Sequence, residues 1–114
     1  MEKINRPWGY YQVLLEDEFC KVKKITIKPG QSPSYQMHYK RNEKWIVVDG
    51  KGMSRIDDKF REVCVGDVVD VPINIKHCIE NTCNSSDLVF IEIQTGTYFG
   101  EDDIVRFEDR YGRA

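Results

Sequence analysis

Up to about residue 100 the apolar residues of this chain fall in short runs, several with apolar and polar positions alternating, and turn residues separate them. Such runs read as strands, because successive side chains of an extended chain point to opposite faces. The pattern predicts strands at Tyr10–Leu15, Phe19–Lys28, Trp45–Val48, Gly52–Ile56, Phe60–Val65, Asp67–Val71, His77–Asn81 and Leu88–Gln94. Asp57-Asp58-Lys59 reads as a hairpin turn, and Pro29-Gly30, Asp49-Gly50 and Asn84-Ser85-Ser86 mark other reversals. Many short strands with regular turns predict an all-β sandwich or barrel. The tail differs. Glu101, Asp102 and Asp103 open it and Arg110 and Arg113 close it, which complements a helix dipole. Ile104, Phe107 and Tyr111 share one helical face there, so a short C-terminal helix is expected.

At 114 residues the chain is expected to form one domain, residues 1–114. A net charge of −2, with Lys and Arg scattered, leaves no electrostatic footprint for nucleic acid. The longest apolar run, Leu88–Ile91, is far too short to cross a bilayer, so no membrane partner is expected. The start, Met-Glu-Lys-Ile-Asn-Arg, lacks the apolar core of a signal peptide. The cysteines at 20, 64, 78 and 83 show no C-x-x-C spacing, so reduced thiols and a cytoplasmic location are expected.

Polar chemistry concentrates in two glycine- and proline-framed stretches. Gly30 to Gly50 carries Gln36, His38 and Glu43 within eight positions; Gly66 to Asn81 carries His77. Residues two apart on a strand share a face, so Gln36 and His38 face one pocket, Glu43 returns after a bend at Lys40–Asn42, and His77 arrives from another strand. Mixed nitrogen and oxygen ligands suit a borderline or hard divalent ion. The competing reading makes Gln36 and His38 surface polar residues and His77 a hydrogen-bonded loop histidine.

The spacings Gly30-x5-Gln36-x-His38-x4-Glu43-x6-Gly50 and Gly66-x5-Pro72-x-Asn74-x2-His77-x3-Asn81 resemble the two motifs of the cupin superfamily. The usual pattern has His where Gln36 stands and Gly where Asn74 stands. A Gln, His, Glu, His set is that of phosphomannose isomerases. Nearly the whole chain is similar to the type II mannose-6-phosphate isomerase domain, usually fused behind a mannose-1-phosphate guanylyltransferase. The matching pieces are Arg6-Pro-Trp-Gly-Tyr-Tyr11, the segments 21–30 and 36–38, Glu43, Trp45 and the tail from Gly100 to Arg113. The subfamily has histidines where this chain has Tyr39, Lys40 and Lys44.

The resemblance implies a cupin double-stranded β-helix, a jelly-roll barrel with the metal in its mouth. It implies one divalent ion on Gln36, His38, Glu43 and His77, zinc first, with manganese, iron, nickel or cobalt as alternatives. It also implies a homodimer, a phosphosugar substrate, and a separate guanylyltransferase in the same pathway. The activity it implies is interconversion of mannose 6-phosphate and fructose 6-phosphate, feeding GDP-mannose for polysaccharide. Aldose–ketose isomerisation needs a Lewis acid, a base and a cationic phosphate anchor. Candidate anchors are Arg41, Lys40, Arg106 and Arg110. Glu92 and Lys40 are candidate bases, and a solvated Glu92 stands beside that reading. If the strand runs on past His38, Lys40 faces the metal; if the chain turns there, it faces solvent. Trp45, Trp8 and Tyr39 are candidates for a sugar-stacking wall. Lys21 and Lys23 share a face, with a solvated edge strand as the default reading. The replaced histidines keep a second class open: a non-catalytic sugar-binding cupin, or a nucleotide-sugar isomerase or epimerase.

Overall fold

The computed structural model describes residues 1–113; Ala114 lies outside the described residues. Among the described residues there are eleven strands and no helix. They are β1 (Ile4–Arg6), β2 (Gly9–Glu16), β3 (Cys20–Ile27), β4 (Tyr35–Met37), β5 (Arg41–Asp49), β6 (Lys51–Ile56), β7 (Lys59–Cys64), β8 (Val68–Val71), β9 (His77–Glu80), β10 (Leu88–Gly96) and β11 (Val105–Glu108). Two sheets result, in the orders β1-β2-β3-β10-β5-β8 and β11-β4-β9-β6-β7, with antiparallel pairing throughout. From β3 to β10 the chain passes repeatedly between the sheets, the jelly-roll form of the cupin barrel. Gly50 makes one of those passages between β5 and β6. Its φ is +83°, and a Cβ there would lie 2.4 Å from the carbonyl oxygen of Asp87. Asp57 and Asp58, both at positive φ, close the two-residue β6–β7 hairpin.

Period two along the central strands decides what the barrel contains. The inward residues of β3 are Lys21, Lys23, Ile25 and Ile27; of β5, Arg41, Glu43, Trp45 and Val47; of β10, Leu88, Phe90, Glu92 and Gln94, all buried. Register sets Phe90 between Ile25 and Val47, Glu92 between Lys23 and Trp45, and Gln94 between Lys21 and Glu43. The same inner face is therefore apolar at one end and charged at the other. At the apolar end Ile27, Leu88 and Phe90 pack with Val63, Val69, Val71 and Ile79. Each fully buried side chain of this size contributes roughly 1.5–3 kcal/mol.

The expected C-terminal helix is not formed. Val105–Glu108 instead adds β11 to the open edge of β4, with Arg106 opposite Gln36 and Val105 opposite Met37. A helix of a dozen residues is marginal by itself, whereas the β4 edge offers unpaired backbone groups. Phe107, expected on the buried face, is 41 % exposed and meets Tyr35 edge-on at 6.4 Å. The four cysteines are free, and no helix of the described residues is long and apolar enough to cross a membrane.

Candidate metal centre

The charged end of the barrel opens into a cavity lined by residues of both sheets and of the tail. Gln36 on β4 and His77 on β9 are cross-strand partners. His38 follows β4 directly, and Glu43 comes across from β5 on the other sheet. The ligating atoms of His38, Glu43 and His77 all lie within 4.8 Å of one another, and all three residues are buried. The two imidazole rings are 4.9 Å apart.

Hydrogen bonding settles which ring nitrogens face the centre. His38 Nδ1 lies 2.6 Å from the carbonyl oxygen of Asp103, and His77 Nδ1 lies 3.0 Å from that of Ile75. A carbonyl only accepts, so each Nδ1 carries the proton and each Nε2 keeps its lone pair. Those Nε2 atoms stand 3.2 and 3.8 Å from Glu43 carboxylate oxygens. The Gln36 amide donates to Ser34 O and Oγ, both at 3.2 Å, which leaves its carbonyl oxygen as the remaining donor of electrons. Four lone-pair donors of the right types for a borderline divalent ion thus line one cavity.

Arg41 ties this set together. Its Nε donates to Glu43 at 2.9 Å, one terminal nitrogen donates to His38 Nε2 at 3.2 Å, and the other lies 3.7 Å from Glu101. Trp45 Nε1 donates to Glu43 at 3.0 Å and to Glu92 at 3.2 Å, and Gln94 donates to the other Glu92 oxygen at 2.9 Å. Burial alone would raise the Glu43 carboxyl; its polar and charged neighbours, the Arg41 guanidinium among them, together outweigh that and hold it well below its ordinary range. Burial pushes His77 down to about 4, which keeps the ring neutral and free to ligate. Glu92 is pushed up to about 8, by burial first and by the neighbouring Glu43 second.

The expected site residues divide. Gln36, His38, Glu43, His77, Arg41, Glu92, Trp45 and Arg106 line the cavity. Lys40 does not. β4 ends at Met37 and the chain bends at Tyr39-Lys40, so Lys40 is exposed, with its ammonium over the Tyr98 ring at 5.2 Å. Arg110 also lies outside. It donates to the Gly30 carbonyl at 2.8 Å and stands 3.8 Å from Glu80, fastening the tail. Trp45 is 3 % exposed and presents no open face for stacking. Tyr39 and Lys44, at two of the replaced histidine positions, are exposed as well. Asn74 has φ +64°, the left-handed region that explains a glycine in the usual motif and that asparagine tolerates.

Arg6, Tyr11, Lys23, Glu101 and Arg113 line the cavity without having been expected there. Lys23 had half of a legible signal, its parity, while its burial depends on the sheet order. It has the parity of Ile25 and Ile27, and β3 is an interior strand rather than an edge, so its ammonium is buried 2.7 Å from Glu101.

The family model described as mannose-6-phosphate isomerase C-terminal matches residues 1–109. A mannose-1-phosphate guanylyltransferase of Salmonella montevideo is 43 % identical over 111 residues, covering 97 % of this chain and 23 % of that protein. The xanthan biosynthesis protein XanB of Xanthomonas campestris pv. campestris (strain B100) is 42 % identical over 112 residues, covering 98 % of this chain and 24 % of XanB. The chain thus spans under a quarter of the length of these curated relatives. Among solved structures, the capsular polysaccharide assembling protein CapF of Staphylococcus aureus superposes with a TM-score of 0.78 at 28 % identity, covering 94 % of this chain and 34 % of CapF. A double-stranded β-helix protein of Klebsiella pneumoniae shares the fold at 18 % identity and a TM-score of 0.75.

Proposed function

The chain belongs to the mannose-6-phosphate isomerase C-terminal family, and from that premise we propose that it is a metal-dependent aldose–ketose isomerase acting on mannose 6-phosphate and fructose 6-phosphate. The observation that carries the reading is the convergence of the His38 and His77 Nε2 lone pairs on the Glu43 carboxylate inside a cavity that Gln36 also lines. Gln36, His38, Glu43 and His77 would hold one divalent ion, with zinc the first choice for this donor set. That ion supplies a positive charge that polarises the carbonyl and adjacent hydroxyl oxygens of a sugar.

The remaining roles belong to the chain's own side chains. Glu92 is the proposed base, moving a proton between neighbouring carbons. Its carboxyl is fixed by Trp45 and Gln94, and burial beside Glu43 raises it towards the neutral range, where a carboxyl can both take up and return a proton. Arg41, shared among Glu43, His38 and Glu101, is proposed to meet negative charge developing on the substrate oxygens. Arg106 is the proposed phosphate anchor, entering the cavity from the tail strand. Lys40 and Arg110 carry no role, because both lie outside the cavity. Trp45 positions two carboxylates rather than stacking on sugar.

A non-catalytic sugar-binding cupin, or one acting on nucleotide sugars, is the second reading, favoured by the replaced histidines. Their positions count against it: Tyr39, Lys40 and Lys44 are exposed and none of them lines the cavity. The relatives named mannose-1-phosphate guanylyltransferase and xanthan biosynthesis protein support a place in polysaccharide precursor supply, with a guanylyltransferase in the same pathway. A cytoplasmic location and a homodimeric state are part of the same proposal. A coupled assay with mannose 6-phosphate and added divalent metals tests the reading. Turnover that needs metal and is lost in Glu92→Gln is expected; metal-loaded protein that binds sugar phosphate without turnover would favour the second reading.

A further inference from the structure

One residue of the tail, outside both sequence motifs, bonds directly to the ring of a proposed metal ligand, His38. Asp103 is 8 % exposed. Its backbone carbonyl oxygen takes the Nδ1–H of His38 at 2.6 Å. Its carboxylate takes two successive peptide N–H groups, Tyr39 at one oxygen and Lys40 at the other, both at 3.0 Å. Residues 39 and 40 form the bend between β4 and β5, where no strand ladder satisfies those donors. A single residue therefore grips the His38 ring and the two peptide groups that follow it. The two grips depend on each other, since the carboxylate clamp fixes where the carbonyl stands.

We propose that Asp103 is a positioning residue for the metal centre: clamping the bend after His38 and accepting the ring's Nδ1–H, it aims the His38 Nε2 lone pair at Glu43 and His77. The inference rests on the metal reading above. A merely structural bend cap would affect stability alone. Partners of a ligating imidazole's second nitrogen are known to matter by roughly 10–100-fold in metal affinity.

The test compares wild type, Asp103→Ala, Asp103→Asn and a control, Tyr111→Phe. The control removes the 2.6 Å bond from Tyr111 to Gln31 and loosens the tail away from His38. Zinc affinity is measured by competition with a chromophoric chelator, the melting temperature alongside it, and the His38 tautomer in metal-free protein by ¹⁵N imidazole NMR. Asp103→Ala is expected to bind zinc about 10–100-fold more weakly and to show mixed His38 tautomers. Tyr111→Phe should melt earlier with unchanged zinc affinity. If Asp103→Ala does not fold, Asp103→Asn, which keeps one acceptor oxygen at the bend, is read by the same criterion. Unchanged affinity and tautomer in every Asp103 variant that folds, beside a wild type that binds zinc, overturn this inference alone. A wild type that binds no zinc overturns the metal reading and this inference with it.

Discussion

Replacing Glu43 by Gln separates the electrostatics of the centre from its shape. In metal-free protein Glu43 is the nearest counter-charge of the buried Arg41, 2.9 Å away, and it accepts from Trp45 at 3.0 Å. Breaking a buried pair of this kind by removing one partner costs about 3–5 kcal/mol. Glu101, 3.7 Å from Arg41, remains as partial compensation, so the lower end is expected. The new amide group must also turn its NH2 towards one of two donors, which adds roughly 1 kcal/mol or more. Stability of domains this size runs to about 5–15 kcal/mol, so a loss near 4 kcal/mol is large. At about 4 °C per kcal/mol it lowers the melting temperature by about 15 °C. The pH dependence follows from the depressed Glu43 carboxyl. In the wild type its contribution is present above the ordinary carboxyl value of 4.5 and is lost as pH falls through the lower folded value. Thermal melts in chelator from neutral to acid pH should therefore show the two proteins converging at low pH. A difference below about 2 °C at neutral pH, or one that does not shrink on acidification, would refute the reasoning.

If the site holds a metal as proposed, wild type should purify with a divalent ion and His38→Ala/His77→Ala without it, by elemental analysis. Arg106→Ala should weaken inhibition by a sugar phosphate by the equivalent of about 1.5–3 kcal/mol while the fold persists, whereas Arg110→Ala should leave that inhibition constant unchanged. Lys40→Met should keep both metal content and turnover at wild-type levels, measured on the same preparation. Gly50→Ala should lose at least about 1–2 kcal/mol in denaturant melts, because its φ and the Asp87 carbonyl both exclude a Cβ. Cys83, lowered to about 7 by hydrogen bonds from the backbone and hydroxyl of Ser85, should alkylate at neutral pH. Cys78, pushed up to about 11 by burial, should stay unmodified, read by mass spectrometry.

Eight strands of four to nine residues were legible from alternation and the turn residues that bound them. β1 and β4 have three residues each, below the length at which any pattern is distinguishable. The tail misled because acid-first, base-last order and an i, i+3, i+7 face also fit a strand whose ends are tied by side chains. Only the three-dimensional edge of β4 decides between them. Spacing could bring Gln36, His38 and Glu43 together because only a short bend at Tyr39-Lys40 carries the chain from the end of β4 to β5 on the other sheet. Lys23 escaped because an isolated charged residue on a strand normally signals solvent; recognising β3 as interior required the sheet order. Asp103 was out of reach, since its part in the site is played by a backbone carbonyl and a clamp on a distant bend.

The division of the inner face into an apolar end and a charged end has an evolutionary consequence. On β3, β5 and β10 the charged residues that face the cavity and the apolar residues of the far end lie on the same strands, with Ile25, Trp45 and Phe90 between them touching both. A mutation at the Lys23, Glu92 or Arg41 level perturbs the cavity while Ile27, Leu88 and Val47 go on filling the far end. Selection can therefore explore new ligands at one end of the barrel with the other end acting as a stability reserve. Each strand is a ruler along which the tolerance for change grows towards the mouth.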